Sequence, residues 1–282
     1  MFHHNARHNK DEALHVAVGA TLKERLPKYS RYIPGVLVRW LERTVRQDEL
    51  NGILERTRGK HGAGFCRAVL KDLKVTYEVK GEELMPNDRR IIIVSNHPLG
   101  ALDGIVMIDW IHRVYGGEVK FVVNDLLMAV KPLKEVFLPV NKHGRQSREA
   151  TTDVDEYFAG NDPIIIFPAG LVSRKGKKGV RDLKWQKMFI NKAVQYGRDI
   201  IPVYFDGRNS SFFYNFAKLR TRLGLKFNIE MIYLPREIFK SRNAHFTLKV
   251  GNPLSHTIFR GGRQASEEAR RVKRIVYNLK TK

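Results

Sequence analysis

The spacing of hydrophobic residues along the chain changes near residue 73. Before that point apolar side chains recur every three or four positions, as over residues 33–45, which is typical of amphipathic helices. After it, short apolar runs alternate with helical patterns. The change predicts a helical N-terminal segment over residues 1–72 and a second domain over residues 73–282.

The second part of the chain alternates between strand-like and helix-like segments. Strands are predicted at residues 73–79, 90–95, 119–123, 137–140, 163–167, 200–205 and 245–250. Helices are predicted at residues 104–115, 147–159, 183–196 and 264–279. Strands and helices that alternate at these intervals favour an α/β domain, in which helices cover a sheet.

The charge of the chain is strongly positive. Lys and Arg exceed Asp and Glu by 51 − 29 = 22 residues. Such a balance favours a polyanionic partner, which could be nucleic acid, an anionic membrane surface or an acidic carrier protein. Hydrophobic residues make up 43% of the chain, which excludes a disordered protein.

The cysteine content and the length of the apolar runs bear on the compartment. Cys66 is the single cysteine, so no intrachain disulfide can form, and its apolar surroundings predict a buried, inert thiol. No apolar run approaches the ~20 residues of a membrane span, and the N-terminus lacks a signal-peptide pattern. We therefore expect a cytoplasmic protein.

The stretch "SNHPLGALDG", residues 95–104, directly follows a predicted strand. Pro98 keeps His97 extended, and Gly100 allows a tight turn, so Asp103 can fold back on the imidazole. A histidine held by a carboxylate is suited to remove a proton from an alcohol. Two alternatives stay open: Asp103 could cap the following helix, and His97 could be an interior histidine without a chemical role.

Polar residues follow three other predicted strands. Residues 171–187 contain seven basic residues and one acidic residue, which could receive an anion or form a solvated loop. Lys142, His143 and Arg145 follow the 137–140 strand, and residues 206–210 follow the 200–205 strand. Because ligands bind at the carboxyl edge of an α/β sheet, neighbouring strand ends would form one site.

Several common active-site patterns do not occur in the sequence. It has no G-x-S-x-G elbow, no G-x-x-x-x-G-K-[ST] phosphate loop, no dinucleotide-binding glycine pattern after a strand and no zinc-ligand spacing.

The order of the remaining motifs resembles the glycerolphosphate and lysophosphatidic-acid acyltransferase family over about residues 75–255. The matching motifs are Asn96-His97 with Asp103, Phe167-Pro168-Ala169-Gly170, and Ile201-Pro202-Val203. Five residues separate His97 from Asp103 where the family usually has four, and Ala169 replaces a glutamate. The variants "NHPLGALDG" and "FPAGLVSRK" resemble the bacterial hemolysin-like branch, which includes ornithine- and glycine-aminolipid O-acyltransferases.

This resemblance implies an α/β fold with a mixed, mainly parallel sheet flanked by helices. It implies transfer of a fatty acyl group from acyl carrier protein or coenzyme A to the hydroxyl of a lyso-aminolipid, without a metal or organic cofactor. His97 would be the general base, Asp103 would orient it, and backbone N–H groups near Gly100 or Gly170 could hold the oxyanion. The implied substrate-binding residues are Asn96, Gly100, Lys142, Arg145, Phe167, Pro168, Gly170, Ser173, Arg174 and Lys175.

Two other functions remain open at this point. The first is acylation of lysophosphatidate to phosphatidate, and the second is nucleic-acid binding, although the basic residues are not interleaved with aromatic ones. For the acyltransferase we expect a peripheral protein on the inner face of the cytoplasmic membrane, attracted to its anionic surface. The helices at residues 33–46 and 264–279 could contact that surface or simply pack on the domain.

Overall fold

The computed structural model describes residues 15–25, 27–28, 30–124, 128, 130–140, 148–176, 179–225 and 227–281. These residues divide into two compact units, one that ends at Lys60 and one that begins at His61. The boundary lies before the residue 72 predicted from the sequence, because the helix at residues 62–73 belongs to the larger unit.

The described residues of the smaller unit include three short α-helices, α1 (Val18–Arg25), α2 (Gly35–Thr44) and α3 (Gln47–Arg56). The side chains of Asn51 and Gln47 accept hydrogen bonds from the backbone N–H groups of Val16 and Val18, at 2.7 and 2.8 Å. These bonds satisfy donors at the start of α1 that the helix itself leaves unpaired. None of the side chains of α2 is buried.

The larger unit is built on a seven-stranded sheet in the order β1-β9-β8-β2-β5-β3-β4. Five neighbouring strands, from β8 to β4, run parallel, whereas β9 is antiparallel to β8. All seven predicted strands are present. The strands, with the separate hairpin β6–β7, are β1 (Thr76–Lys80), β2 (Ile91–Ser95), β3 (Lys120–Val123), β4 (Phe137–Pro139), β5 (Ile164–Ile166), β6 (Arg174–Gly176), β7 (Gly179–Arg181), β8 (Asp199–Asp206) and β9 (His245–Val250).

Helices flank this sheet, so the mixed, mainly parallel α/β fold expected from the sequence is confirmed. The helix predicted at residues 183–196 begins only at residue 188. The helices of this unit are α4 (Gly62–Leu73), α5 (Leu102–Tyr115), α6 (Arg148–Ala159), α7 (Met188–Tyr196), α8 (Ser211–Arg222), α9 (Leu234–Lys240) and α10 (Ala265–Asn278).

The central strand β2 explains why the sheet is covered on both faces. All five of its residues are buried, as expected for a continuous apolar run in a parallel sheet. The apolar face of α10, including Val272 and Val276, is buried in the same core cluster as Phe189 of α7. The apolar side of α10 is therefore used for packing on the domain.

Arg198, between α7 and β8, is a buried cation that joins two elements. Its guanidinium donates to the carbonyl groups of Phe158 at 2.7 Å, Gly160 at 2.6 Å and Asp162 at 2.9 Å. Burial, with the nearby charge of Arg90, lowers the pKa of Arg198 to about 10. The cation thus satisfies carbonyl groups at the C-terminal end of α6, where the helix dipole favours positive charge.

The cysteine and the helices bear on the compartment of the protein. Cys66 is fully buried in α4, and burial raises the pKa of its thiol, as expected for an inert cysteine. Within the described part of the chain, no helix combines the length and hydropathy that a membrane span requires.

Candidate active site

The carboxyl ends of β2, β5 and β8 lie side by side in the sheet. The three strands are followed by His97, Phe167 and Asn209 respectively, so these strand ends meet at one edge. The end of β4 is two strands further away, and Lys142 and Arg145, which follow it, lie outside the described residues.

His97 and Asp103 form a close pair at this edge. The Nδ1 atom of His97 lies 2.9 Å from Oδ2 of Asp103. The carboxylate side chain is 0% exposed, whereas 13% of the histidine side chain is exposed. The longer spacing between the two residues therefore still brings the carboxylate to the imidazole, and part of the histidine side chain remains accessible to solvent.

The carboxylate of Asp103 also holds the turn that precedes it. Its Oδ2 accepts hydrogen bonds from the backbone N–H groups of Leu99 at 2.9 Å and Gly100 at 3.3 Å. The helix α5 is capped by Ala101 and begins at Leu102, so Asp103 is not its N-cap residue. The structure therefore does not support the alternative that Asp103 serves only as the cap of this helix.

Gly100 occupies the most crowded point of the turn. Its φ is +92°, and a Cβ atom there would lie 2.7 Å from Val172 and 2.9 Å from Leu234. Only glycine combines this backbone conformation with such close neighbours. The turn is thereby pressed against the segment that follows β5 and against α9.

The imidazole of His97 is stacked on the ring of Phe167. The ring centroids are 4.2 Å apart, and the planes differ by 20°. Phe167 also packs against Phe121 in a T-shaped arrangement, with the ring centroids 5.3 Å apart. Because Nδ1 contacts Asp103, Nε2 is the ring nitrogen on the side of the imidazole away from this carboxylate.

Asp182 is a site residue that the sequence reasoning did not single out. Its carboxylate accepts hydrogen bonds from the backbone N–H of His97 at 3.1 Å, the hydroxyl of Ser173 at 2.5 Å and the indole N–H of Trp185 at 2.8 Å. The Ser173 N–H donates to the carbonyl of His97 at 2.8 Å. A signal was available, since Asp182 is the single acidic residue among the basic residues of 171–187.

The helix α10 fixes Asp182 from the other side. The backbone N–H of Asp182 donates to the hydroxyl of Tyr277 at 2.7 Å. The ammonium of Lys273 donates to the backbone carbonyl of Asp182 at 2.8 Å. Burial and then the negative charge of Asp182 raise the pKa of Tyr277, while burial lowers the pKa of Lys273. The phenol therefore stays uncharged in this network at neutral pH.

Of the predicted anion-binding residues, Arg174 is engaged in an ion pair. It lies 2.7 Å from Glu230, whose other carboxylate oxygen is 2.7 Å from Arg220, and Glu230 is fully buried. Burial lowers the pKa of Arg174. The charge of Arg174 is thus largely balanced within the protein, whereas Lys175 beside it is exposed.

Asn96 and Pro168 have structural contacts at the same edge. The side-chain amide of Asn96 donates to the carbonyl of Phe205 at 2.9 Å and accepts from its N–H at 2.8 Å. The carbonyl of Pro168 accepts from the N–H of Gln186 at 2.8 Å. These bonds join the ends of β2 and β8, and they hold residues 183–187 outside the helix α7.

The two amide groups considered for an oxyanion hole already have acceptors. The N–H of Gly170 donates to the carbonyl of Phe167 at 2.9 Å. The N–H of Gly100 donates to Asp103, at the longer distance of 3.3 Å. Neither amide is assigned to the oxyanion on this geometry.

The family model described as "Acyltransferase" matches residues 20–282 of the chain. A lyso-glycine lipid O-acyltransferase from Bacteroides thetaiotaomicron is 42% identical over 269 residues, which cover 95% of this chain and 99% of that protein. The protein of the same description from Phocaeicola vulgatus is 40% identical over 269 residues, with 95% and 96% covered.

Among solved structures, the 1-acyl-sn-glycerophosphate acyltransferase from Thermotoga maritima matches with a TM-score of 0.46 and 21% identity. The match covers 77% of this chain and 82% of that chain. The family match includes the whole sheet, the His97 turn and the C-terminal helix. From its match to the family model and its identity to both relatives, the chain belongs to the acyltransferase family.

Proposed function

We propose that the protein transfers a fatty acyl group from an acyl thioester to the hydroxyl of a lyso-aminolipid, with His97 as the general base. The observation that carries the chemistry is the 2.9 Å contact between His97 and the buried carboxylate of Asp103. The acceptor class is supported by the two relatives, which are described as lyso-glycine lipid O-acyltransferases.

In the proposed reaction, the hydroxyl oxygen of the acceptor attacks the thioester carbonyl while Nε2 of His97 accepts the proton of that hydroxyl. A tetrahedral intermediate forms, then the carbon–sulfur bond breaks, and the leaving thiolate takes the proton from the imidazolium. Asp103 stabilises the imidazolium that exists between these steps. Assistance of this kind contributes roughly 10²- to 10⁴-fold to the rate.

The position of His97 is supported by contacts to its backbone as well as to its ring. Asp182 accepts the N–H of His97, and Ser173 donates to its carbonyl, at 3.1 and 2.8 Å. We infer that Asp182 and Ser173 are positioning residues, since their contacts are to the backbone of the base. Groups fixed in advance cost no reorganisation during the reaction.

The acceptor proposed here carries a carboxylate, which suits a basic site entrance. In the hairpin β6–β7, Lys175 and Arg181 are exposed, whereas Arg174 is paired with Glu230. We propose that these exposed cations receive the carboxylate of the lyso-aminolipid, which is an interaction of opposite charges near the surface.

The donor and the membrane are proposed as anionic partners of this basic chain. An acyl carrier protein or coenzyme A thioester would be attracted by the net charge of +22. Exposed Val36, Leu37 and Trp40 on α2, with Arg39 and Arg43 beside them, support contact with the inner face of the cytoplasmic membrane.

The test of this function is a competition between acceptors. The purified protein is incubated with an acyl carrier protein thioester and equal amounts of lyso-glycine lipid, lyso-ornithine lipid and lysophosphatidate, and the products are identified by mass spectrometry. We expect diacylated glycine lipid as the main product. Phosphatidate as the main product would contradict the proposed acceptor.

A further inference from the structure

A second surface of the larger unit carries exposed apolar side chains that the proposed function has not used. Large apolar residues normally lie inside a fold, and a contiguous exposed group of them marks an interaction site. Among the described residues of the segment 212–229, the large exposed apolar side chains are Phe212, Leu219, Leu223, Leu225, Phe227 and Ile229. Phe227 is 83% exposed and Leu223 is 65% exposed. We call these six residues, which lie on α8 and in the segment that follows it, the α8 patch.

The α8 patch begins beside the candidate active site. The side-chain amide of Asn209 donates to the carbonyl of Leu99, in the His97 turn, at 3.4 Å. Ser210 then caps α8 by accepting the N–H of Phe213 at 3.4 Å, and its hydroxyl donates to Glu237 at 2.8 Å. A helix of 12 residues is ~18 Å long, so the patch extends outward from the rim of the site.

The charged residues of this segment and of the five residues before it are all basic. Between residues 207 and 229 the sequence has five Lys or Arg residues and no Asp or Glu. Lys218 and Arg222 are exposed, and the guanidinium of Arg236 lies 5.3 Å from the centre of the Phe212 ring. Glu230, just beyond the segment, is buried between Arg174 and Arg220, so it adds no negative charge to the surface.

This combination of side chains fits a lipid surface better than a protein partner. Lysine is depleted from the centre of protein interfaces, whereas here the exposed Lys218 directly precedes the patch residue Leu219. On an interfacial helix, Phe and Leu side chains enter the acyl boundary while Lys and Arg side chains meet anionic headgroups.

We infer that the α8 patch is a docking surface for an anionic lipid bilayer, which places the rim of the His97 site at the membrane. The inference depends on the proposed function only for the idea that the acceptor is a lipid; binding to vesicles does not require turnover. This surface lies in a different unit from α2.

A first experiment measures binding of the full chain to vesicles of phosphatidylcholine and phosphatidylglycerol by co-sedimentation. The double variant Leu223→Ser, Phe227→Ser should lower the partition coefficient ~10-fold or more, because two apolar side chains no longer enter the bilayer. The variant Lys218→Gln, Arg222→Gln should lower it on these vesicles and have little effect on phosphatidylcholine alone. Unchanged partitioning of the first variant would overturn the inference.

The matched control is Ile258→Ser. Ile258 is an exposed apolar residue as well, at 51%. It lies near His256, which contacts Asp199 at the opposite end of β8. Its replacement should leave partitioning unchanged. Transfer to a detergent-dispersed acceptor, measured in parallel, should be the same for all these variants. If the unmutated protein transferred no acyl group in this assay, that result would contradict the proposed function and leave the docking surface unaffected.

A second experiment detects insertion directly. Because Cys66 is fully buried, Phe227→Cys and Ile258→Cys would each provide one accessible thiol for an environment-sensitive fluorophore. On vesicles, emission from position 227 should shift to shorter wavelength, and emission from position 258 should not. The same shift at position 227 without vesicles, on raising the protein concentration or on adding acyl carrier protein, would overturn the inference in favour of a protein partner.

Discussion

At the level of single residues, Asp103 makes two kinds of contact. One carboxylate oxygen contacts Nδ1 of His97 and also accepts the N–H groups of Leu99 and Gly100. The residue that would charge the base therefore also shapes the turn on which the base is placed. The sequence predicted the first contact and an N-cap role, whereas the contact with the turn required the structure.

The variant Asp103→Asn should lower kcat by roughly 10²-fold or more, since an amide is a poorer partner for an imidazolium than a carboxylate. The control is Asp109→Asn in the same helix, which removes another buried carboxylate, bound to Arg67 at 3.0 Å and Tyr77 at 2.6 Å. That variant should lose stability and keep most of its kcat. Similar kcat values for the two variants would contradict a role of Asp103 in the chemistry.

Replacement of Gly100 by alanine should damage the site through its backbone. The positive φ costs about 1 kcal/mol and crowding against Val172 and Leu234 about 2 kcal/mol more. Gly179→Ala is the matched control, because its φ of +88° is similar and no atom lies within 4 Å of the added Cβ. Denaturant unfolding should show a loss of about 3 kcal/mol for Gly100→Ala and about 1 kcal/mol for the control. Equal losses would contradict the crowding.

At the level of elements, the apolar runs of the sequence were the main basis for predicting the strands of the sheet. Each strand predicted in the sheet is present, since buried parallel strands require continuous apolar segments such as Ile91–Ser95. The hairpin β6–β7 was not predicted because its strands are three residues each and rich in Lys, Arg and Gly. Its place beside His97 depends on Asp182, whose bonds to His97 and Tyr277 are long-range in sequence.

The start of α7 shows the same limit. Residues 183–187 have a helical pattern, but Trp185 donates to Asp182 and the N–H of Gln186 donates to Pro168. The bond to Pro168 is a tertiary contact, and together with the local bond to Asp182 it prevails over helix propensity there. The pairing of His97 with Asp103 was predictable because it is local, whereas the network of Asp182, Ser173 and Tyr277 connects the two ends of the hairpin β6–β7 to the distant helix α10.

Arg198 gives a prediction at this level, because its side chain links α6 to the sheet. Arg198→Lys retains a charge but has fewer donors for the surrounding carbonyl groups, so it should cost about 3 kcal/mol of unfolding free energy. In contrast, Arg90 makes one exposed bond at 3.3 Å to Gly160, and Arg90→Lys should cost less than about 1 kcal/mol. Equal urea midpoints would contradict the role of Arg198.

At the level of the whole molecule, the net charge and the exposed apolar surfaces have a common explanation. The charge of +22 predicted a polyanionic partner without identifying it. Family membership makes the protein an acyltransferase, and the basic, apolar α8 patch is consistent with a lipid surface as one such partner. The sequence alone did not reveal this patch, since the apolar residues of the segment 212–229 could equally have been buried.

The central claim is that His97 acts as the base of the acyl transfer, and the molecule contains its own control. His256 also has Nδ1 2.9 Å from a carboxylate, that of Asp199, but this pair is at the opposite end of β8. The measurement is the rate of acyl transfer to lyso-glycine lipid, by mass spectrometry, for His97→Ala and His256→Ala proteins of confirmed fold. We predict a loss of about 10²- to 10⁴-fold for His97→Ala and little change for His256→Ala. A folded His97→Ala protein that transfers at the unmutated rate would contradict the account.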